Sequence, residues 1–180
     1  MAKTYLDKAY DGGTGDSRAL YAEWSYTYDQ EVGKNGYATP GRTAKTLAQF
    51  VADLNQPILD YGCGTGLSGL ALKVEGFSHI DGLDVSSEMI EIARKKGIYN
   101  DLRIFNPEHA PPVTKGQYHI IAAIGVIGVG AAPLPVFDTL IDHLETGGLF
   151  AFSFNDHALA DPSFPAKVDH YTANGLARLL

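Results

Sequence analysis

Cysteine is almost absent. Cys63 stands alone, so no disulfide can form within the chain, and a lone thiol fits a reducing compartment. Basic residues are scarce as well: 14 Lys and Arg against 21 Asp and Glu, a net charge of −7. A chain of that sign has no standing attraction for nucleic acid or an anionic membrane face. The densest basic run, Arg94-Lys95-Lys96, reads as the last turn of a helix, where cations favour the dipole. Long apolar runs are missing too. The longest, Ile120 to Val136, is short for a membrane span and is broken by glycine and proline. The N-terminal "MAKTYLDKAYDGGTGDS" has no signal-peptide pattern, and the chain has no internal repeat. Six histidines, at 79, 109, 119, 143, 157 and 170, show no metal-ligand spacing. These absences predict a soluble, cytoplasmic protein without a metal and without nucleic-acid or membrane partners.

What is present is an alternation of short apolar strands with helices. Ser17 or Asp16 can cap a first helix running to about Val32, stopped by Gly33, Asn35 and Gly36. A second helix fits "PGRTAKTLAQFVADL", with Leu47, Phe50, Val51 and Leu54 on one face. From Pro57 the pattern is strand "PILDY", a glycine loop, a helix over roughly Leu67 to Val74, then strand "HIDGLDV". Ser86 can cap the helix "SEMIEIARKKG". Strands "DLRIF" and "YHIIAAIG" follow, then a helix over "PLPVFDTLIDHLETGG" ended by its glycines, and a fifth strand "LFAFSF". The segment "AKVDHYTANGLARLL" reads as a helix with no strand after it. Such alternation predicts an α/β fold: a Rossmann-like, doubly wound parallel sheet with helices on both faces. Residues 1–55 read as a helical lid segment and 56–180 as the core, one domain overall.

The stretch "PILDYGCGTGLSG", Pro57 to Gly69, admits two readings. From Gly64 it spells G-x-G-x-x-G, a dinucleotide fingerprint. From Asp60 it spells D-x-G-x-G-x-G, the fingerprint of S-adenosylmethionine enzymes. Both use Gly62, Gly64 and Gly66 to bring the backbone close to a ligand. Both use an acid at the end of the second strand, and Asp84 stands there to accept from ribose hydroxyls. Asp60 discriminates. A carboxylate beside this loop repels a pyrophosphate, but it attracts the sulfonium and amino group of S-adenosylmethionine. Its bland role is to cap the loop's N–H groups.

The chain here resembles the class I S-adenosylmethionine-dependent methyltransferases. The likeness runs from Ile58 to Phe154 and rests on "LDYGCGTG", "IDGLDVSSEMIEIAR", "YHIIAAIGVIG" and "LETGGLFAFSF". In detail it is similar to methyltransferase-like proteins of the Williams–Beuren region type. The N-terminal "YAEWSYTYDQEV" resembles the lid helix of small-molecule methyltransferases. The resemblance implies S-adenosylmethionine as cofactor, S-adenosylhomocysteine as product and a small-molecule acceptor. It implies that the loop Tyr61, Gly62, Cys63, Gly64, Thr65 and Gly66, with Asp60, surrounds the methionine part. Asp84 would hold the ribose, and Val85 and Met89 would line the adenine. Asn106 and Pro107 would meet the adenine edge, where the family often has an acid. Ile124 and Gly125 would lie near the methyl group. Tyr21, Trp24 and Tyr28, at i, i+3 and i+7, share one helical face that would close over the cofactor; as core contacts they would equally be buried. Cys63 reads as a small packed residue rather than a nucleophile. Tyr28 and His157 are the candidates for a base, if the acceptor needs one.

Two other readings stay open: a cofactor-binding protein without transfer activity, and a nicotinamide-dependent oxidoreductase. The family fold ends in an antiparallel hairpin beyond the fifth strand. This sequence stops at "GLARLL" before it, so the expectation is a native protein longer by a few tens of residues, or an open sheet edge.

Overall fold

The computed structural model describes residues 22–34 and 37–180. Its elements are α1 (Tyr28–Lys34), α2 (Thr39–Ala48), β1 (Ile58–Tyr61), α3 (Leu67–Val74), β2 (Ile80–Asp84) and α4 (Ser87–Lys95). They continue with β3 (Asp101–Ile104), β4 (Tyr118–Ala123), α5 (Pro135–His143), β5 (Leu144–Phe152), α6 (Asp156–Ala160) and α7 (Ser163–Ala173). The five strands form one parallel sheet in the order β3-β2-β1-β4-β5. This is the doubly wound architecture predicted from the alternation.

The central strands β1 and β4 are buried along almost their whole length because both faces of the sheet are covered there, whereas the edge strand β3 is partly exposed. Successive side chains point to opposite faces, so neighbours in sequence enter different cores. Ile58 and Ile120 join Ala44, Leu47, Leu72 and Phe77 on one side. Leu59 and Ile121 join Leu83, Phe137, Leu140 and Phe164 on the other. α2 therefore packs directly on the sheet, through Ala44 and Leu47, with Val51 just beyond its end.

Four boundaries differ from the sequence reading. The first expected helix is interrupted: residues 22–24 are helical, Thr27 N–H donates to the Trp24 carbonyl in a turn, and α1 starts at Tyr28. Its expected start at Ser17 or Asp16 lies outside the described residues. α2 stops at Ala48 because Gln49 and Phe50 N–H groups bond back to Thr46 and Leu47, three residues away. That tighter turn swings Phe50 off the buried face, and it is 47% exposed. The segment "LETGG" belongs to β5 rather than to the preceding helix. It enters through an irregularity: Tyr118 pairs Leu144 but Ile120 pairs Leu149, and Gly147 takes φ +83° to accommodate the extra residues. Finally, α7 begins at Ser163 and ends at Ala173, short of the expected run to Leu180, with Gly175 at φ +67° past its end. Among the described residues no strand pairs with the outer edge of β5.

Candidate active site

Chain order reverses between β1 and β4, so a crevice opens at the carboxyl ends of β1, β2 and β4. The glycine loop leaves β1 there. Gly62, Gly64 and Gly66 have φ of +68°, +53° and +91°, a region that side chains rarely tolerate. Gly62 is constrained twice, because a Cβ there would lie 2.6 Å from the Val126 side chain. The loop is stitched to β2. Gly62 and Cys63 N–H groups both donate to the Leu83 carbonyl, at 2.8 and 3.0 Å.

Asp84, at the end of β2, closes the stitch. Its Oδ2 accepts from Gly64 N–H at 2.8 Å and its Oδ1 from Ser86 N–H at 2.9 Å. Burial pushes its carboxyl up, opposed by the amides of Ser86, Gly64 and Val85. Each oxygen keeps acceptor capacity after these bonds, which suits a diol. Ser86 caps α4 as predicted, accepting from Met89 N–H, and this turns Met89 toward the same crevice.

Asp60 lies beneath the loop and is fully buried. Its Oδ2 accepts from the Ser68 hydroxyl and the Tyr99 phenol, each at 2.7 Å. Its Oδ1 is buried with no hydrogen-bond partner among the described residues. Burial pushes its carboxyl up to about 6, against the Ser68 and Tyr99 bonds and with a smaller push from Asp84. Cys63 is buried and its thiol is held well up, first by burial and then by Asp60 and Asp84. Near neutral pH it therefore stays a thiol rather than the reactive thiolate.

A cavity of about 350 Å³ fills the crevice. Its floor is Tyr61, Gly62, Cys63, Gly64, Thr65, Leu67 and Ser68. One wall is Asp84, Val85, Met89, Phe105 and Pro107, and the opposite wall is Ile124, Gly125, Val126, Ala131, Ala132, Pro133 and Val136. Tyr28, Tyr37 and Pro40 cover it from the N-terminal side. The structure thus gathers twelve of the expected residues around one space: Tyr28, Tyr61, Gly62, Cys63, Gly64, Thr65, Asp84, Val85, Met89, Pro107, Ile124 and Gly125.

Others stand off the cavity wall. Asp60 and Gly66 support the loop from behind, Gly66 as the first residue before α3. Trp24 is 2% exposed and packs edge-on to Tyr28, ring centres 4.6 Å apart, which fits the core-contact alternative. Asn106 turns away into an exposed turn with Glu108, and its neighbours Phe105 and Pro107 face the cavity instead. His157 is exposed in the first turn of α6. Asn155 caps that helix by accepting from Ala158 N–H. Tyr21 lies outside the described residues.

α1 is tied to this site by charge. Asp29 accepts from the Thr65 hydroxyl at 2.5 Å and pairs with Lys96 Nζ at 2.6 Å. Lys96 also donates to the Thr65 carbonyl.

The sheet order and the loop-to-Asp84 stitch define a class I methyltransferase fold. A Methanococcus maripaludis structure, solved as a candidate S-adenosyl-L-methionine-dependent methyltransferase, superposes with a TM-score of 0.59 at 18% identity. It covers 97% of this chain and 77% of its own. A SAM-dependent methyltransferase from Thermotoga maritima gives 0.59 at 20% identity, over 76% of this chain and 61% of its own. A methyltransferase domain family profile matches residues 37–176, and the chain belongs to that family. Human methyltransferase-like protein 27 is 31% identical over 117 residues, 63% of this chain and 48% of that protein. A ribosomal protein L11 methyltransferase from Aliivibrio salmonicida is 26% identical over 94% of this chain and 49% of its own length. The chain spans about half the length of these curated relatives or less.

Proposed function

We propose that this protein transfers a methyl group from S-adenosylmethionine to a small-molecule acceptor, leaving S-adenosylhomocysteine. The observation that carries this is the pair of acids around the loop. Asp84 is clamped by two backbone amides at the cavity wall. Asp60 is buried behind the loop with one oxygen unpartnered. Two carboxylates beside a glycine cradle suit a cationic ligand with a ribose and disfavour a pyrophosphate. The residues present therefore fit the cofactor.

In this reading Asp84 accepts from the ribose hydroxyls, and Val85, Met89 and Phe105 enclose the adenine. The loop from Gly62 to Thr65 follows the methionine part, with Asp60 supplying its charge from behind. Residues 22–34 act as the lid, through Tyr28. S-adenosylmethionine supplies an electrophilic methyl group when bound. The protein's share is to align the acceptor and exclude water, which is proximity and orientation rather than acid–base work. Where an acceptor must lose a proton, Tyr28 is the candidate on the cavity wall, and His157 is the more distant one.

A small-molecule acceptor is supported by the wall beyond Ile124. Val126, Ala131, Ala132, Pro133 and Val136 present apolar surface in a confined space. The relatives named for ribosomal protein L11 make a protein acceptor the competing outcome.

Calorimetric titration with S-adenosylmethionine, S-adenosylhomocysteine and NAD tests the cofactor. Micromolar binding of the first two is expected, weakened at least about tenfold by Asp84→Ala through the lost hydroxyl contacts. Binding of NAD alone would overturn the reading. Release of S-adenosylhomocysteine with a panel of small nucleophiles, but not with ribosomal protein, then tests the acceptor. Binding without release for any acceptor would mark a cofactor-binding protein without transfer activity.

A further inference from the structure

Tyr99 belongs to neither the glycine motif nor the cavity wall, yet the site is shaped around it. It follows α4, in the connection to β3. Three glycines from three elements make room for its ring. A Cβ at Gly66 would lie 3.2 Å from it, at Gly82 3.0 Å, and at Gly69 in overlap with it. Gly66 ends the loop, Gly69 is in α3 and Gly82 is in β2. The pocket so formed delivers the phenol to Asp60 Oδ2 at 2.7 Å, beside the Ser68 hydroxyl. With both donors on one oxygen, the other is left unpartnered and fully buried.

We propose that Tyr99 is a positioning residue for the cofactor site, holding the Asp60 carboxylate in place and ionised behind the glycine loop. The proposal rests on the cofactor reading above for its effect on binding, but the Tyr99–Asp60 link itself does not. The groups that face Asp60 are few. Asp84 approaches from the end of β2, and its charge opposes a second one on Asp60. Cys63 in the loop and Tyr99 itself are held well up, first by burial, so both stay neutral near pH 7. Ser68 of α3 does not titrate. The flanking strand partners are Gly82 and Ala122. Among the described residues the phenol is therefore one of two side chains that hold the charged form of Asp60 by hydrogen bonding, against burial and Asp84.

Tyr99→Phe keeps the ring in its glycine pocket and removes only the hydroxyl. Two measurements test it. The first is the Asp60 carboxyl titration, followed by carbon NMR in the unloaded protein. The second is the affinity for S-adenosylmethionine between pH 5 and pH 8. In the wild type, affinity is expected to weaken as pH falls through about 6, where the Asp60 carboxyl takes up its proton. In Tyr99→Phe the carboxyl midpoint and this acidic limb both move up by about one pH unit, while affinity at pH 8 stays within about twofold. Asp60→Asn is expected to remove the part of the acidic limb centred near pH 6, leaving only what Asp84 contributes. An unmoved Asp60 midpoint in Tyr99→Phe would sink the proposal. So would an affinity loss equal at every pH, since that is what a structural role alone produces. Failure of the wild type to bind the cofactor at any pH would instead overturn the cofactor reading, and the carboxyl titration would still decide whether Tyr99 holds Asp60.

Discussion

At the scale of single residues, Asp60 shows a buried carboxyl held at a cost to the fold. Its carboxyl is raised in the folded state to about 6 from an ordinary 3.8. A carboxyl raised by folding binds its proton more tightly in the native chain, so stability falls as pH climbs through that window. The cost is absent below about pH 4 and complete above about pH 6, and a shift of this size corresponds to roughly 3 kcal/mol. Asp60→Asn is therefore expected to be more stable than the wild type at pH 7.5, and to lose that advantage as the pH is lowered to 4. Chemical denaturation at a series of pH values checks this, and a gap that does not close on acidification would refute it. Gly62 shows the opposite economy. Ala at that position would have to hold φ +68° and press against Val126, so about 1–3 kcal/mol of stability is expected to be lost, with cofactor affinity falling too.

At the scale of elements, the helices carry both the legible and the illegible parts of the sequence. Ser86 and the Asp84 that precedes it could be read in advance, because capping and the strand-end acid have local signatures. Ser86→Ala is expected to cost about 1 kcal/mol in a thermal or urea melt. The break at residues 25–27 could not be read, since Ser25, Tyr26 and Thr27 fit a helical period as well as a turn. The end of α2 is not legible in the sequence, because Phe50 keeps the apolar spacing that the backbone abandons. In the site, the glycine loop and the strand-end acid have a local signature, but Leu67 and Ser68 just after the loop line the cavity without one. Tyr37, Pro40, Phe105, Val126, Ala131, Ala132, Pro133 and Val136 line the cavity from loops and element starts, where apolar character has no periodicity to mark it. The family resemblance places Asn106 at the adenine edge, but its side chain bonds within the exposed turn to Glu108, and the neighbouring Phe105 and Pro107 line the cavity. Nor did sequence spacing connect Asp29 with Lys96, 67 positions away. That partly exposed pair is worth at most about 1 kcal/mol overall. Its loss in Lys96→Ala is expected to speed amide exchange in α1 while leaving the sheet strands protected, as hydrogen exchange would show.

At the scale of the whole molecule, the described cavity takes its walls from nearly every layer of the fold, so a ligand in it should stabilise the whole rather than a part. S-adenosylhomocysteine at a hundredfold excess over its Kd is expected to add about 2.7 kcal/mol, which for this chain length raises Tm by about 5–10 °C. A melt unchanged by saturating ligand would contradict it. Among the described residues no helix is long and apolar enough to cross a membrane.

The order of the strands has a kinetic consequence. Ile58 pairs with Ile80 close by in the chain, but with Ile120 only after a much longer loop closes. Loop-closure entropy favours the nearer pairing first, so β1, β2 and β3 can assemble with α3 and α4 ahead of β4. The glycine loop and Asp84 lie in this early half, whereas Ile124, Gly125 and Val126 arrive with the late one. Gly62 then meets Val126 across the seam. A refolding chain would accordingly form the wall around Asp84 before it has a complete pocket, and ligand-dependent fluorescence or exchange protection would appear only in the last kinetic step.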